Sequence, residues 1–259
     1  MPKDFSTMTR LDGRTALVTG GGTGLGLEFA RVLAGAGARL VVAGRRRAPL
    51  EAAVAALRAG GADAQCLELD VVDPVSVESA IEAACAGGSV VDVLVNNAGL
   101  SRPGPALELA IDDWDAVLDT NLRGALLVAR AVARRLIAVG RPGAIVNVCS
   151  VLGTATQRGV APYAASKAGL LHLTRLLAAE WARHRIRVNA LVPGYFRTEI
   201  TAAYLETDAG RALLQRIPQR RLGETAELAV PLLLLASDAS PYMTGTHLVV
   251  DGGLSLNPL

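Results

Sequence analysis

Cysteine, lysine and aromatic residues are all scarce in this chain, and no long apolar run interrupts it. The 259 residues include three scattered cysteines, Cys66, Cys85 and Cys149, none in a C-x-x-C pair. Neither a disulfide framework nor a zinc or redox motif is therefore expected, and a reducing, cytoplasmic setting fits. Aromatics make up 3% of the residues, too few for the stacking platforms of single-strand nucleic-acid binders. The charge sum is 26 basic minus 24 acidic, or +2, which supplies no field for nucleic acid or an anionic membrane. The longest apolar stretch, around 232–236, is far short of the roughly 18 residues that span a bilayer. Residues 1–10 carry no apolar signal segment and read as a loose tail.

What is present is a large apolar fraction, 51% hydrophobic against 19% charged, enough for one sizeable core. Short Val/Leu/Ile runs alternate with Gly-, Asp- or Asn-rich turns and Ala/Leu stretches of helical spacing. The runs predict strands over 15–19, 39–43, 64–69, 91–95, 144–149, 187–191 and 247–250. Helices are predicted over 25–36, 48–59, 75–84, 113–138, 162–183 and 226–235, with another across 202–215. Nearly continuous apolar strands are those buried on both faces, so the fold class is α/β: a doubly wound, seven-stranded parallel sheet with helices on both faces. No linker divides it, and residues 1–259 read as a single domain. The two long helices carry Leu126, Ala129, Leu170 and Leu177. These residues are expected either to face another subunit or to pack on the sheet.

The first strand runs into Thr19-Gly20-Gly21-Gly22-Thr23-Gly24-Leu25-Gly26 and then a helix. Glycines let backbone approach a pyrophosphate, and a helix start offers free N–H groups. No Lys-Ser/Thr follows, so this is not a Walker loop, and its first βα position favours a dinucleotide. The second strand ends in Gly44-Arg45-Arg46-Arg47 with no carboxylate. A dinucleotide site selective for NAD usually has an acid there, whereas a 2′-phosphate suits an arginine fork, so NADP(H) is favoured and NAD(H) remains open. Asp70, followed by Val71, is placed to reach an adenine amino group.

Of the 26 positive residues only Lys3 and Lys167 are lysines. Lys167 follows Tyr163 by four positions, on the same face of a predicted helix. An ammonium beside a phenol is expected to lower a pKa that is ordinarily about 10, giving a usable acid or base.

With these residues in view, the chain resembles the short-chain dehydrogenase/reductase family over nearly its whole length. The family's glycine motif is Thr19-Gly20-x-x-x-Gly24-x-Gly26, and its Asn-Asn-Ala-Gly segment is Asn96-Asn97-Ala98-Gly99. Asn121, Ser150, the Tyr163/Lys167 pair and Pro193-Gly194 follow in order, with Thr198 where the family meets the nicotinamide carboxamide. The resemblance implies a Rossmann-type fold and hydride exchange between a nicotinamide and a carbonyl or carbinol carbon. It assigns Tyr163 as general acid/base, Ser150 to the substrate oxygen, Lys167 to the ribose hydroxyls, and Asn121 to a water relay. The cofactor would lie along Gly20, Gly22, Thr23, Gly24, Leu25, Gly26, Gly44, Arg45, Arg46, Asp70, Val71, Asn97, Ala98, Gly99, Pro193, Gly194, Phe196 and Thr198, besides Tyr163 and Lys167. Ser150, Leu152, Gln157, Tyr163 and Tyr195 would meet the substrate, with 195–217 as a variable lid. Arg102, Arg158 and Arg197 are candidates for an anion clamp. No resident metal is expected. A homo-oligomer is implied, a tetramer or a dimer.

The substrate would be a small ketone or secondary alcohol. A 3-oxoacyl carrier-protein reductase, an NAD-dependent alcohol or sugar-acid dehydrogenase and a broad ketone reductase remain open. A dinucleotide-binding sensor without turnover is the reading from another class. Cys149 is expected to be a core thiol rather than a nucleophile.

Overall fold

The computed structural model describes residues 5–197 and 207–256. Seven parallel strands form one sheet: β1 (Thr15–Thr19), β2 (Arg39–Gly44), β3 (Ala64–Glu68), β4 (Val91–Asn96), β5 (Gly143–Val148), β6 (Ile186–Pro193) and β7 (His247–Val250). Their order is β3-β2-β1-β4-β5-β6-β7. The chain direction across the sheet therefore reverses between β1 and β4, and a crevice opens at their carboxyl ends. Every residue of β1, β4 and β5 is buried, which explains the nearly continuous apolar runs in the sequence. Within the tail, Phe5–Met8 form one short helical turn, α1.

Helices α2 (Gly24–Gly35) and α3 (Arg47–Ala59) cover one face, where Phe29, Leu33, Leu50 and Leu57 join the core. Helix α4 (Pro74–Ala84) starts where Asp73 accepts the Val75 and Ser76 N–H groups, with Pro74 in the first turn. It packs on the other face with the long helices, through Ile81, Val128, Val132 and Leu136.

The helix predicted over 113–138 is not continuous. It consists of α5 (Ile111–Leu118), a π-helical segment (Asp119–Gly124) and α6 (Ala125–Ala138). The wide turn carries Asn121, 1% exposed, into the interior. Next comes α7 (Ala161–Trp181), whose inner face includes Lys167 and Leu170. Ala129, Leu170 and Leu177 are 1%, 1% and 6% exposed, and Leu126 packs against the same interior. Of the two expectations for these residues, packing within the subunit is the one the described contacts display, with Leu126 left partly buried. Helix α8 (Asp208–Arg216) replaces the helix expected across 202–215, whose first part falls outside the described residues. Helix α9 (Ala229–Ala236) completes the first face, after a 3-10 turn over Thr225–Leu228. Among the described residues no helix is long and apolar enough to cross a membrane.

A buried polar ladder ties the central strands to the long helices. Asn96 Nδ2 donates to Ala125 O (3.0 Å) and Asn147 Oδ1 (3.0 Å), and Asn147 Nδ2 donates to Thr174 Oγ1 (2.9 Å). Asn147→Ala leaves both neighbours short of a partner, so a loss of about 1–3 kcal/mol is expected. A lower urea midpoint at unchanged m checks it.

Candidate active site

At the crevice, Gly20 turns the chain out of β1 at φ +65°, and its N–H donates to Ala43 O (2.7 Å). Gly24 opens α2 at φ +55°. Gly26 is required for a different reason: a Cβ there would lie 2.2 Å from Gly20 O and 2.5 Å from Asn97 Nδ2. The absent side chain lets α2 approach the β1 turn, and the Thr23 side chain makes no capping bond at the helix start. Such a cradle fits a dinucleotide pyrophosphate.

Two residues clamp the crevice. Thr19 Oγ1 accepts from the backbone N–H groups of Asn97 and Ala98, both at 3.0 Å, and Asn97 Nδ2 donates to Thr19 O (3.0 Å). A cleft of about 360 Å³ runs from here past Gly22, Gly44, Arg45, Arg46, Asp70 and Val71. Asp70 Oδ1 accepts the Val72 N–H (3.2 Å), which fixes the turn after β3. The three arginines part company: Arg47 pairs with Glu51 (2.7 Å) and Glu68 (3.5 Å), whereas Arg45 and Arg46 line the cleft with no ion pair among the described residues.

The cleft adjoins a second cavity lined by Ser150, Tyr163, Lys167, Pro193 and Gly194, among others. Ser150 lies just past β5, 8% exposed, and its Oγ accepts the Leu152 N–H (3.2 Å). Tyr163 and Lys167 lie one turn apart on α7, with Nζ 5.6 Å from the ring centroid. The ammonium donates to Val148 O (2.8 Å) and is 4% exposed.

The expected lowering of the Tyr163 pKa is not what this geometry produces. Burial pushes the phenol up, and hydrogen bonding with Ser150 only partly opposes it. Lys167 is itself pushed down by burial, so its charged form is disfavoured where it is needed to attract a phenolate. The Cys149 thiol is driven up to about 12 by burial and stays protonated, so it is no nucleophile.

Asn121 has both of its side-chain donors committed. Its Oδ1 accepts the Leu100 N–H (2.8 Å), and Nδ2 donates to Leu100 O (3.0 Å) and Ser166 Oγ (3.0 Å). An amide nitrogen has two hydrogens, and both are used. The side chain thus holds the loop after β4 and, through Ser166, which donates to Tyr163 O (2.7 Å), the start of α7. Its two amide hydrogens are thereby taken up within the protein, and Oδ1 keeps one lone pair beyond the Leu100 bond.

Toward the substrate side, Tyr195 Oη donates to Gln157 Oε1 (2.7 Å), and Leu152 packs in the same apolar cluster as Tyr195. Phe196 departs from its expected place: its ring is 5% exposed, packed in the core and over Gly223, away from both cavities. Thr198, Lys3 and part of the expected lid lie outside the described residues. Sequence reasoning missed Thr19 and Ser166, whose roles depend on strand and helix ends that meet only in the fold.

A family model described as Enoyl-(Acyl carrier protein) reductase matches residues 20–255. The chain is 38% identical over 248 residues to gluconate 5-dehydrogenase of Gluconobacter oxydans (strain 621H), covering 95% of this chain and 96% of that one. It is 42% identical over 256 residues to galactitol 2-dehydrogenase (L-tagatose-forming) of Cereibacter sphaeroides, covering 98% and 99%. The crystal structure of a gluconate 5-dehydrogenase from Burkholderia cenocepacia J2315, in complex with NADP and tartrate, superposes with a TM-score of 0.92 at 41% identity, covering 96% of this chain and 98% of that one. With the reversed sheet, the glycine cradle and the Ser150/Tyr163/Lys167 cluster, these matches show that the chain belongs to the short-chain dehydrogenase/reductase family of NAD(P)-dependent oxidoreductases acting on alcohol and keto groups.

Proposed function

We propose that the protein moves hydride between NADP(H) and a ketone or secondary alcohol of a small polyhydroxylated molecule. The observation that carries this reading is the convergence of Ser150, Tyr163 and Lys167 in one cavity beside the dinucleotide cleft. Bound NADP(H) supplies or accepts the hydride. Tyr163 gives its phenolic proton to the substrate oxygen in reduction and takes it back in oxidation. Ser150 hydrogen-bonds the same oxygen and holds it beside Tyr163. Lys167, anchored on Val148 O, holds the ribose hydroxyls at the mouth of its cavity. Relatives named for gluconate and galactitol support a polyol or sugar acid.

The preference for NADP rests on Arg45 and Arg46, which line the cleft with no ion pair among the described residues. With both changed to Ala, the ratio of kcat/KM for NADPH over NADH should fall roughly 10- to 100-fold, the worth of charge-assisted hydrogen bonds to a phosphate. An equal loss with both cofactors removes these arginines from 2′-phosphate recognition. The reading includes a homo-oligomer, a tetramer or a dimer, supported by the outer face of α7, where Ala165, Ala168 and Leu176 are exposed. Light scattering on the purified protein tests it, and a monomeric mass overturns it.

A further inference from the structure

We infer that Arg158 and Arg216 form an anion fork for the carboxylate of the substrate, so that the preferred substrates are polyhydroxy acids rather than neutral polyols. Arg158 follows Gln157 in the segment after β5, and Arg216 ends α8. The two line one open cavity of about 530 Å³ together with Thr156 and Gln157 and no acidic residue among the described residues. Neither forms an ion pair or hydrogen bond among the described residues.

Arginines on neighbouring loops are already matched. Arg102 pairs with Asp113 (3.2 Å), Arg197 with Glu224 (3.0 Å), Arg211 with Asp208 (2.5 Å) and Arg221 with Glu227 (2.7 Å). Two of the three candidates raised by the sequence, Arg102 and Arg197, are thus accounted for within the protein. Arg158 is left, and folding adds Arg216. Two guanidinium groups lining one cavity repel each other where no counter-charge stands among the described residues, and an anion between them reverses the sign of that energy. Guanidinium forks bind carboxylates in bidentate geometry, which fixes orientation as well as charge.

One residue of the cavity's lining leads back toward the reactive centre: Gln157 accepts the Tyr195 hydroxyl at 2.7 Å, and Tyr195 follows the Pro193-Gly194 segment that lines the Ser150/Tyr163 cavity. In the inferred pose, a carboxylate held by Arg158 and Arg216 has its carbon chain extending past Gln157 and Tyr195 toward Ser150 and Tyr163. This inference rests on the hydride-transfer reading for the position of the reacting carbon, but not for the binding of the acid.

The test compares gluconate with sorbitol, which has the same carbon chain and no carboxylate, in the wild type and in Arg158→Gln, Arg216→Gln and Arg158→Lys. In oxidation with NADP, each Gln variant should raise KM for gluconate roughly 10- to 100-fold, with kcat changed far less and sorbitol unaffected. Arg158→Lys should recover part of the loss, and added salt should weaken gluconate alone. Calorimetry of gluconate binding to the NADP-saturated protein is measured in parallel. Binding that the Gln variants abolish upholds the fork even if turnover is absent, in which case it is the hydride-transfer reading that fails. Absence of gluconate binding to the wild type, or equal losses for gluconate and sorbitol in the variants, overturns the fork.

Discussion

Tyr163→Phe should lower kcat by roughly 10²- to 10⁴-fold, the range typical of a positioned general acid/base, while NADP(H) affinity stays within a few-fold of the wild type. Only the hydroxyl is removed. The ring remains on the first turn of α7 beside the Lys167 ammonium, and the dinucleotide cleft is lined by other residues. Steady-state turnover and calorimetric cofactor binding separate the two effects. Because burial holds the phenol above its ordinary range, it keeps its proton at neutral pH. Reduction therefore begins with the proton in place. Oxidation needs the phenolate, so kcat/KM for oxidation should rise with pH toward the raised Tyr163 value, and the reductive rate should fall only on that same alkaline limb. Wild-type-like turnover in the Phe variant would remove Tyr163 from the chemistry.

Gly26→Ala has the second largest expected effect. Its Cβ would sit 2.2 Å from Gly20 O and 2.5 Å from Asn97 Nδ2. Neither neighbour is free to retreat, since Gly20 N–H is bonded to Ala43 O (2.7 Å) and Asn97 Nδ2 to Thr19 O (3.0 Å). Overpacking of this kind costs about 1–3 kcal/mol, and here the displaced atoms line the cleft proposed to hold the dinucleotide. Thermal melting should show the loss in stability, and titration with NADP an affinity at least roughly tenfold weaker. Gly35→Ala, at the last turn of the same helix, is the control. A Cβ there meets nothing within 4 Å, so the protein should be unchanged or about 0.4–1 kcal/mol more stable, with normal NADP binding.

The fold was legible in the sequence because both-face burial leaves a distinctive trace: β1, β4 and β5 are buried throughout and predominantly apolar, and the glycine turn stands at the end of the first of them. Tyr163 and Lys167 were legible because their helical spacing places them together in a chain with only two lysines. The break at 119–124 was not. It goes with the bonds of Asn121 to Leu100 and Ser166, contacts across 21 and 45 residues that no local pattern contains. Likewise, the sequence places Arg45 and Arg46 at the cofactor but does not show that β3 brings Glu68 to Arg47, beside its local partner Glu51. Arg216 had no signal at all, because its neighbour Arg158 lies on a different segment. The direction of the Tyr163 shift was misread for a physical reason: spacing reveals the ammonium but not the desolvation that both groups suffer.

The most direct test follows a label. A secondary alcohol deuterated at the carbinol carbon, drawn from a panel of polyols and sugar acids, is incubated with NADP and the wild-type protein or the Tyr163→Phe variant. Mass spectrometry then reads deuterium in the nicotinamide ring. The label should enter NADPH with the wild type and be nearly absent with the variant. NADP that binds normally but stays unlabelled across the panel would contradict hydride transfer and leave a nucleotide-binding protein without turnover.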